Sequence, residues 1–423
     1  MKCFLYPDIG RVDEPLQLHM DGLEANETIK MKMTMDHHTL GKWSSTVSTN
    51  ADEHGKLSIG ENCKQDNNIF SLLLWKLRPI DGKTPTNFPS NSTDPLKLHI
   101  DMESSISQRT ESRTVIRLFK EDYVTEEALP NDVPFSGTYF YPKNKQKLPT
   151  IILFGSYHGE PPLDAAALYA SHGYGALAVN YTNNGATVPL EDINKVLQWV
   201  KNHPSTDEQK IILHGTEKGA ELALVVASKD PSIKGVIANS PTSHVFQKIQ
   251  SSKRTAAWTE NGETIPFVPY HFSLPMMVTS WFRKQRKDTA SLGNVCEKSL
   301  EKYEKNGKIE AAIEVEKVNG PLLLISGKQD DFWPSDLMAQ TVTERLSNNS
   351  FPYPVEHLSY EFCGDKLTVP YLPTLTNNEG DFENVQKAVL GETAWNTTIT
   401  FLTKHFPPAR IQTVTIPFKP SGR

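Results

Sequence analysis

The sequence predicts an antiparallel β-sandwich over residues 1–145, followed over residues 146–423 by an α/β domain built on a doubly wound parallel sheet. Two observations predict this. Up to about residue 145 the dominant apolar period is two, with turn clusters between the runs and no convincing helix. After Pro149 short apolar runs alternate with stretches of helical period, the pattern of strands buried on both faces and crossed by helices.

In the first part Leu16, Leu18 and Met20 alternate with polar residues, as do Ile29, Met31, Met33 and Met35, and again Leu96, Leu98, Ile100 and Met102. Each set reads as a half-buried strand. In the second part Ile151 to Phe154 reads as a buried strand, Leu163 to Ser171 as an Ala-rich helix ended by Gly173, and Gly175 to Asn180 as the next strand. Ile193, Val196, Leu197 and Val200 fall at helical spacing and the helix stops near Pro204. Ile211 to His214 is a strand and Ala220 to Ser228 a helix; Gly235 to Asn239 and Leu322 to Ser326 are further strands, and Trp395, Ile399 and Leu402 mark a closing helix. Between about 241 and 319 neither period holds clearly, and Thr289 to Glu316 reads as charged helix. This stretch reads as a lid or insertion, because loops at the carboxyl ends of strands build the site in such folds.

Composition bounds the function. Lys+Arg 44 against Asp+Glu 50 gives a net charge of −6 over 423 residues, which argues against a nucleic-acid partner. The four cysteines, Cys3, Cys63, Cys296 and Cys363, form no CxxC pair and have no flanking His cluster. Reduced thiols and a cytoplasmic location are expected. The N-terminal residues lack a signal-peptide core, and no apolar stretch approaches the roughly 18 residues of a membrane span.

The most informative segment is Ile211 to Ser228, IILHGTEKGAELALVVAS: an apolar strand, Gly215, three residues, Gly219, then an apolar helix. The spacing is that of the nucleophile elbow G-x-S-x-G of α/β-hydrolases, with Glu217 at the centre. On the motif alone the alternative is a plain βα turn with a helix-packing glycine.

Taken with this segment, the chain resembles the acyl-CoA thioesterases and bile acid-CoA:amino acid N-acyltransferases. Their N-terminal β-sandwich is similar to Asp21 to Asp36 and to Ser71 to Pro79; their α/β-hydrolase domain is similar to Leu148 to Gly159, His214 to Leu224, Gly327 to Ser335 and Cys363 to Thr374. The resemblance covers nearly the whole chain in order. It implies that the family nucleophile, Ser or Cys, falls on Glu217, that its Asp falls on Asp330 with Asp331 as neighbour, and that its His falls on Asp365. It also implies that Gly155, Ser156 and His158 lie in the oxyanion loop, with the backbone N–H of Lys218 as the second donor. His158 is either a substitute base or a solvent-facing loop histidine.

Acyl transfer through such a triad needs an oxygen or sulfur nucleophile and an imidazole that takes and returns its proton. Asp365, a carboxylate with a pKa of about 4, is a poor substitute for that base. A carboxylate at the elbow, used as Asp by dehalogenases and epoxide hydrolases of this fold, still relies on a His to release its ester. If Glu217, Asp330 and Asp365 converge, they cannot all stay ionised unaided. Protonation, pairing with Lys218, Lys366 or an arginine, a hard cation such as Mg²⁺ or Ca²⁺, and carboxylates that point apart are the alternatives. No cofactor is otherwise expected. The expectation is a family member that lacks triad catalysis and keeps a pocket for a small acyl or thioester ligand. The alternative is an active hydrolase or acyltransferase with carboxylate-based or metal-assisted chemistry.

Overall fold

The computed structural model describes residues 2–37, 39–60, 69–81, 88, 91–156, 160–182, 187–249, 254–272, 293–330, 332–361, 369–373 and 381–410. The period-two runs form two sheets. One holds Lys2–Tyr6, Gln17–Asp21 and Lys56–Ile59; the other is ordered Ile9–Arg11, Thr110–Leu118, Leu96–Ser104, Thr28–His37, Gly41–Asn50 and Arg78–Pro79. Pairing is antiparallel throughout except for Ile9–Arg11, which runs parallel to Ile116–Leu118. Register sets Met31 opposite Met102, Met33 opposite Ile100 and Met35 opposite Leu98, and all six side chains are buried. The alternating methionines are therefore core.

Two features depart from the expected pattern. Ile69–Trp75 is a helix where none was expected, and every residue in it but Leu72 is buried. A short helix buried nearly all round shows neither apolar period, so its sequence carries no helical signal. Val124–Ala128 and Ser136–Pro142, expected in the sandwich, are instead hydrogen-bonded into the large sheet. Neither alternates in burial, and which sheet they join is decided by distant partners.

That large sheet has eight strands: β1 (Val124–Ala128), β2 (Ser136–Pro142), β3 (Leu148–Phe154), β4 (Gly175–Asn180), β5 (Thr206–Thr216), β6 (Ile233–Asn239), β7 (Leu322–Gly327) and β8 (Val355–Tyr360). Their order is β1-β2-β4-β3-β5-β6-β7-β8, with β1 and β2 antiparallel and the remainder parallel. The described helices of this part are α1 (Leu163–Ser171), α2 (Leu190–Asn202), α3 (Lys218–Lys229), α4 (Gly293–Lys305), α5 (Ser335–Asn348) and α6 (Asp381–His405). This is the α/β-hydrolase topology, and the α/β expectation holds.

Alternate residues of each strand feed opposite faces. Ile151 and Leu153 of β3, with Ile212, Ile237 and Leu323, pack under α1 and α6 in an apolar cluster that continues into the sandwich. Ile152 and Phe154, with Leu213, Val236 and Leu322, pack under α2, α3 and α5. The seam with the sandwich also holds a polar knot. Buried Asp13 accepts hydrogen bonds from Arg11 Nε at 3.0 Å, His172 Nε2 at 2.5 Å and Trp395 Nε1 of α6 at 3.1 Å. These donors hold its carboxyl at about 2 against the desolvating effect of burial. No helix among the described residues is long and apolar enough to cross a membrane.

Between β6 and α4 the chain contributes Trp258–Glu260 and Glu263–Thr264, which form a small sheet with Val188–Pro189. Residues 273–292 of that region lie outside the described residues.

Candidate functional site

β3, β5, β6 and β7 are successive neighbours, so Gly155, Glu217, Ser240 and Asp330 emerge from one end of the sheet. The turn after β5 is a true elbow. Glu217 joins Thr216 of β5 to Lys218 of α3 at φ 53°, ψ −113°, outside the right-handed wells that L residues prefer. Its neighbouring glycines are required by space. A Cβ on Gly215 would meet the Gly219 carbonyl oxygen at 2.1 Å, and a Cβ on Gly219 would meet the Phe154 and Gly155 carbonyl oxygens at 2.3 Å. A plain βα turn needs neither the positive φ nor this three-way approach. The Glu217 N–H donates to Asn239 O at 2.9 Å, and its side chain is 1% exposed.

Asp330 lies three residues beyond β7, nearly buried. It accepts from the Ser240 hydroxyl, from Phe332 N at 2.9 Å and from Trp333 N at 3.3 Å. Ser240 is itself held at φ 50°, with its N–H on Ile325 O at 2.8 Å and its carbonyl accepting Trp333 Nε1 at 2.9 Å. The Asn239-Ser240 pair thus links the elbow to the acid position through consecutive residues. β5 and β7 are two steps apart in the sheet, roughly 10 Å between strand axes. Asp365, Asp331 and His158 lie outside the described residues. Among the described residues no group of three His, Cys, Asp or Glu side chains is placed to hold a metal ion.

Lys218 was one candidate countercharge for this group of carboxylates, and the structure places its ammonium elsewhere. Its Nζ binds Glu221 Oε1 at 2.6 Å and Phe246 O at 2.8 Å, with both side chains buried. The reason is local: positions three apart on a helix share a face, and here that face is turned inward. Glu221 also accepts Trp258 Nε1 at 2.7 Å and Phe246 N at 3.1 Å. The ammonium stands 5.5 Å from the Trp258 ring and 6.0 Å from the Trp333 ring. Burial lowers the lysine and raises the glutamate, and each opposes the other's shift. Nearby Cys296 is buried and its thiol is pushed up, chiefly by desolvation, so it is no ready nucleophile.

The loop after β3 begins at Gly155 and Ser156, whose carbonyls both accept the Tyr181 hydroxyl, at 3.0 and 2.8 Å. Burial pushes that phenol well above its usual range, and the Glu217 carboxylate adds to the effect. Behind the elbow, His214 of β5 joins Asn239 Nδ2 through Nε2 at 3.1 Å and the Tyr169 hydroxyl through Nδ1 at 3.1 Å. Burial holds its imidazole at about 4. An amide nitrogen only donates, so Nε2 is the acceptor and Nδ1 carries the proton. Tyr169 in turn stacks on Trp395 at 5.0 Å.

Tyr181, His214, Asn239, Ser240 and Glu221 support the site but carry no sequence motif. One signal was available. Lys218 and Glu221 stand at i and i+3 in the first helical turn, a spacing that brings the two charges together on one face.

Residues 188–408 match the family described as BAAT / Acyl-CoA thioester hydrolase C terminal, and residues 13–131 match Acyl-CoA thioester hydrolase/BAAT N-terminal region. Acyl-coenzyme A amino acid N-acyltransferase 1 of Mus musculus is 24% identical over 391 residues, covering 88% of each chain. Acyl-coenzyme A thioesterase 6 of Mus musculus is 24% identical over 378 residues, covering 85% of this chain and 84% of the relative. Among solved structures, the uncomplexed acylaminoacyl peptidase of Pyrococcus horikoshii superposes with a TM-score of 0.43 at 13% identity, over 75% of this chain and 49% of that one.

Proposed function

Because the chain belongs to the BAAT/acyl-CoA thioester hydrolase family, we propose that it binds a small acyl or acyl-thioester ligand at the carboxyl ends of β3, β5, β6 and β7 without carrying out triad catalysis. The observation that carries this reading is Glu217 itself, buried at the apex of a well-formed elbow. Glu217 offers no hydroxyl or thiol for an imidazole to activate, and the family resemblance puts Asp365 at the His position. Among the described residues the supporting hydrogen bonds are in place: Asp330 is held by three donors, and Tyr181 fixes the Gly155-Ser156 carbonyls. An elbow with its supporting hydrogen bonds kept and its nucleophile replaced is suited to binding.

The test is a panel of acyl-CoA esters of different chain length, assayed for thiol release and, by calorimetry, for binding. Binding without release is expected. Release that disappears in Glu217→Gln would overturn the reading and make Glu217 a reacting group. Absence of binding across the panel would overturn the ligand class. Restoring the triad with Glu217→Ser and Asp365→His together is expected to raise release above background.

A further inference from the structure

At the opposite end of the sheet from the elbow, where β3 and β5 begin, a cleft of about 770 Å³ opens between the β2–β3 turn and the end of α2. That size falls among small-molecule sites, typically about 300–1,000 Å³. One wall is aromatic: Tyr141, Trp199 and His203 line it, locked around buried Tyr139. Tyr139 stacks on Tyr141 at 5.1 Å and meets Trp199 edge-on at 5.7 Å, while His203 lies 5.2 Å from Trp199.

Glu127 is oriented by this wall. The Ser205 N–H donates to His203 Nδ1 at 3.2 Å, so the ring proton is on Nε2, which donates to Glu127 Oε2 at 3.2 Å. The Tyr141 hydroxyl donates to the same oxygen at 3.3 Å, leaving Oε1 as an acceptor for a ligand. On the other side stand Asn144, Gln146 and Asn202, exposed amides that make no side-chain hydrogen bond to another described residue. Lys145 and Glu127 supply one charge of each sign among the lining residues. A second cleft of about 350 Å³ shares Trp199 and continues past Gln198 and Asn194. From Glu191 to Asn202 the helix rises roughly 16 Å.

The geometry points to a second binding site, separate from the acyl site, for a neutral hydroxyl-rich ligand of the saccharide class. Aromatic faces are electron-rich and accept the polarised C–H face of a sugar ring. Side-chain amides and an oriented carboxylate match adjacent hydroxyls, each of which donates once and accepts. Across the two clefts Glu127, Asp132 and Glu191 outnumber Lys145 and Lys195, and this acidic excess disfavours a polyanion such as a coenzyme A nucleotide, which needs clustered Lys or Arg. A groove of that length takes two or three sugar rings.

The experiment is binding of the full chain, detected through an affinity tag, to a printed array of neutral oligosaccharides. A chemically related subset should bind, and the signal should fall at least about tenfold, some 1.4 kcal/mol, in Trp199→Ala and in Asn202→Leu. Saturating palmitoyl-CoA should leave it unchanged. Trp199 also packs on the core, so Asn202→Leu and Gln146→Leu, both at exposed positions, carry the test if Trp199→Ala does not fold. No bound neutral glycan, binding that survives all three substitutions, or displacement by palmitoyl-CoA would each overturn the proposal.

Discussion

Lys218 and Glu221 form a buried ion pair one helical turn apart, 2.6 Å from Nζ to Oε1, immediately after the elbow residue. Breaking such a pair from one side strands a desolvated charge. Lys218→Met should therefore cost about 3–5 kcal/mol in urea unfolding. Glu221→Gln added to it keeps an acceptor for Trp258 and removes the stranded charge, so the double variant should lose less than the sum. Strict additivity would show that the pair is not coupled.

The elbow glycines are set by backbone contact, which cannot move aside as a side chain can. Gly219→Ala places a methyl 2.3 Å from two carbonyl oxygens and should destabilise the protein by about 3 kcal/mol, the upper end of ordinary overpacking. Gly262→Ala, where the new methyl meets nothing within 4 Å, is the control for loss of glycine at a site without close contacts. Its positive φ of 79° makes it a stringent one. Equal losses in the two variants would refute the close-approach argument.

Asp164, at the start of α1, is buried and its carboxyl is pushed up to about 7 from 3.8. A raised pKa means the folded state favours the protonated form. The stabilising contribution is full below pH 3.8 and is lost as pH rises through about 7. The span corresponds to about 4 kcal/mol. Asp164→Asn should flatten the decline in stability between about pH 4 and 7. Unchanged pH dependence in that variant would rule the group out.

His214 shifts the other way, down to about 4 from 6.5 through burial. A depressed pKa gives stability that is present above pH 6.5 and lost as pH falls through about 4, in all about 3 kcal/mol. Proton NMR of the histidine Cε1–H resonances should show one imidazole, absent from the His214→Asn spectrum, that stays neutral until the protein begins to unfold. A midpoint near the ordinary value for that signal would contradict its placement behind the elbow.

Much of the α/β part was legible because buried strands and amphipathic helices write their own periods. Leu163–Ser171 and Gly175–Asn180 coincide with the expected bounds. The Val355–Tyr360 edge strand went unread because most of it is half-buried and shows no alternation, and α5 because its apolar face is short. At the site, Glu217 and Asp330 were readable from glycine spacing and family resemblance. Tyr181, His214 and Ser240 were not, since each acts through a partner at least 25 residues away. The inward turn of Lys218 is likewise a property of what covers α3, which distant residues such as Phe246 and Trp258 supply.

Asp13 and Trp395 meet across 382 residues of chain. A ribosome adding about 5–20 residues per second needs roughly 20–80 s to make that interval. During this time the nascent sandwich lacks the partner that completes its seam, and the Asp13 knot has only Arg11 until His172 is made. The helix α6 is therefore a clasp that closes only after Trp395 has been made. A chain cut short before α6 would leave the first-made part permanently ajar, with its apolar flank open to other proteins.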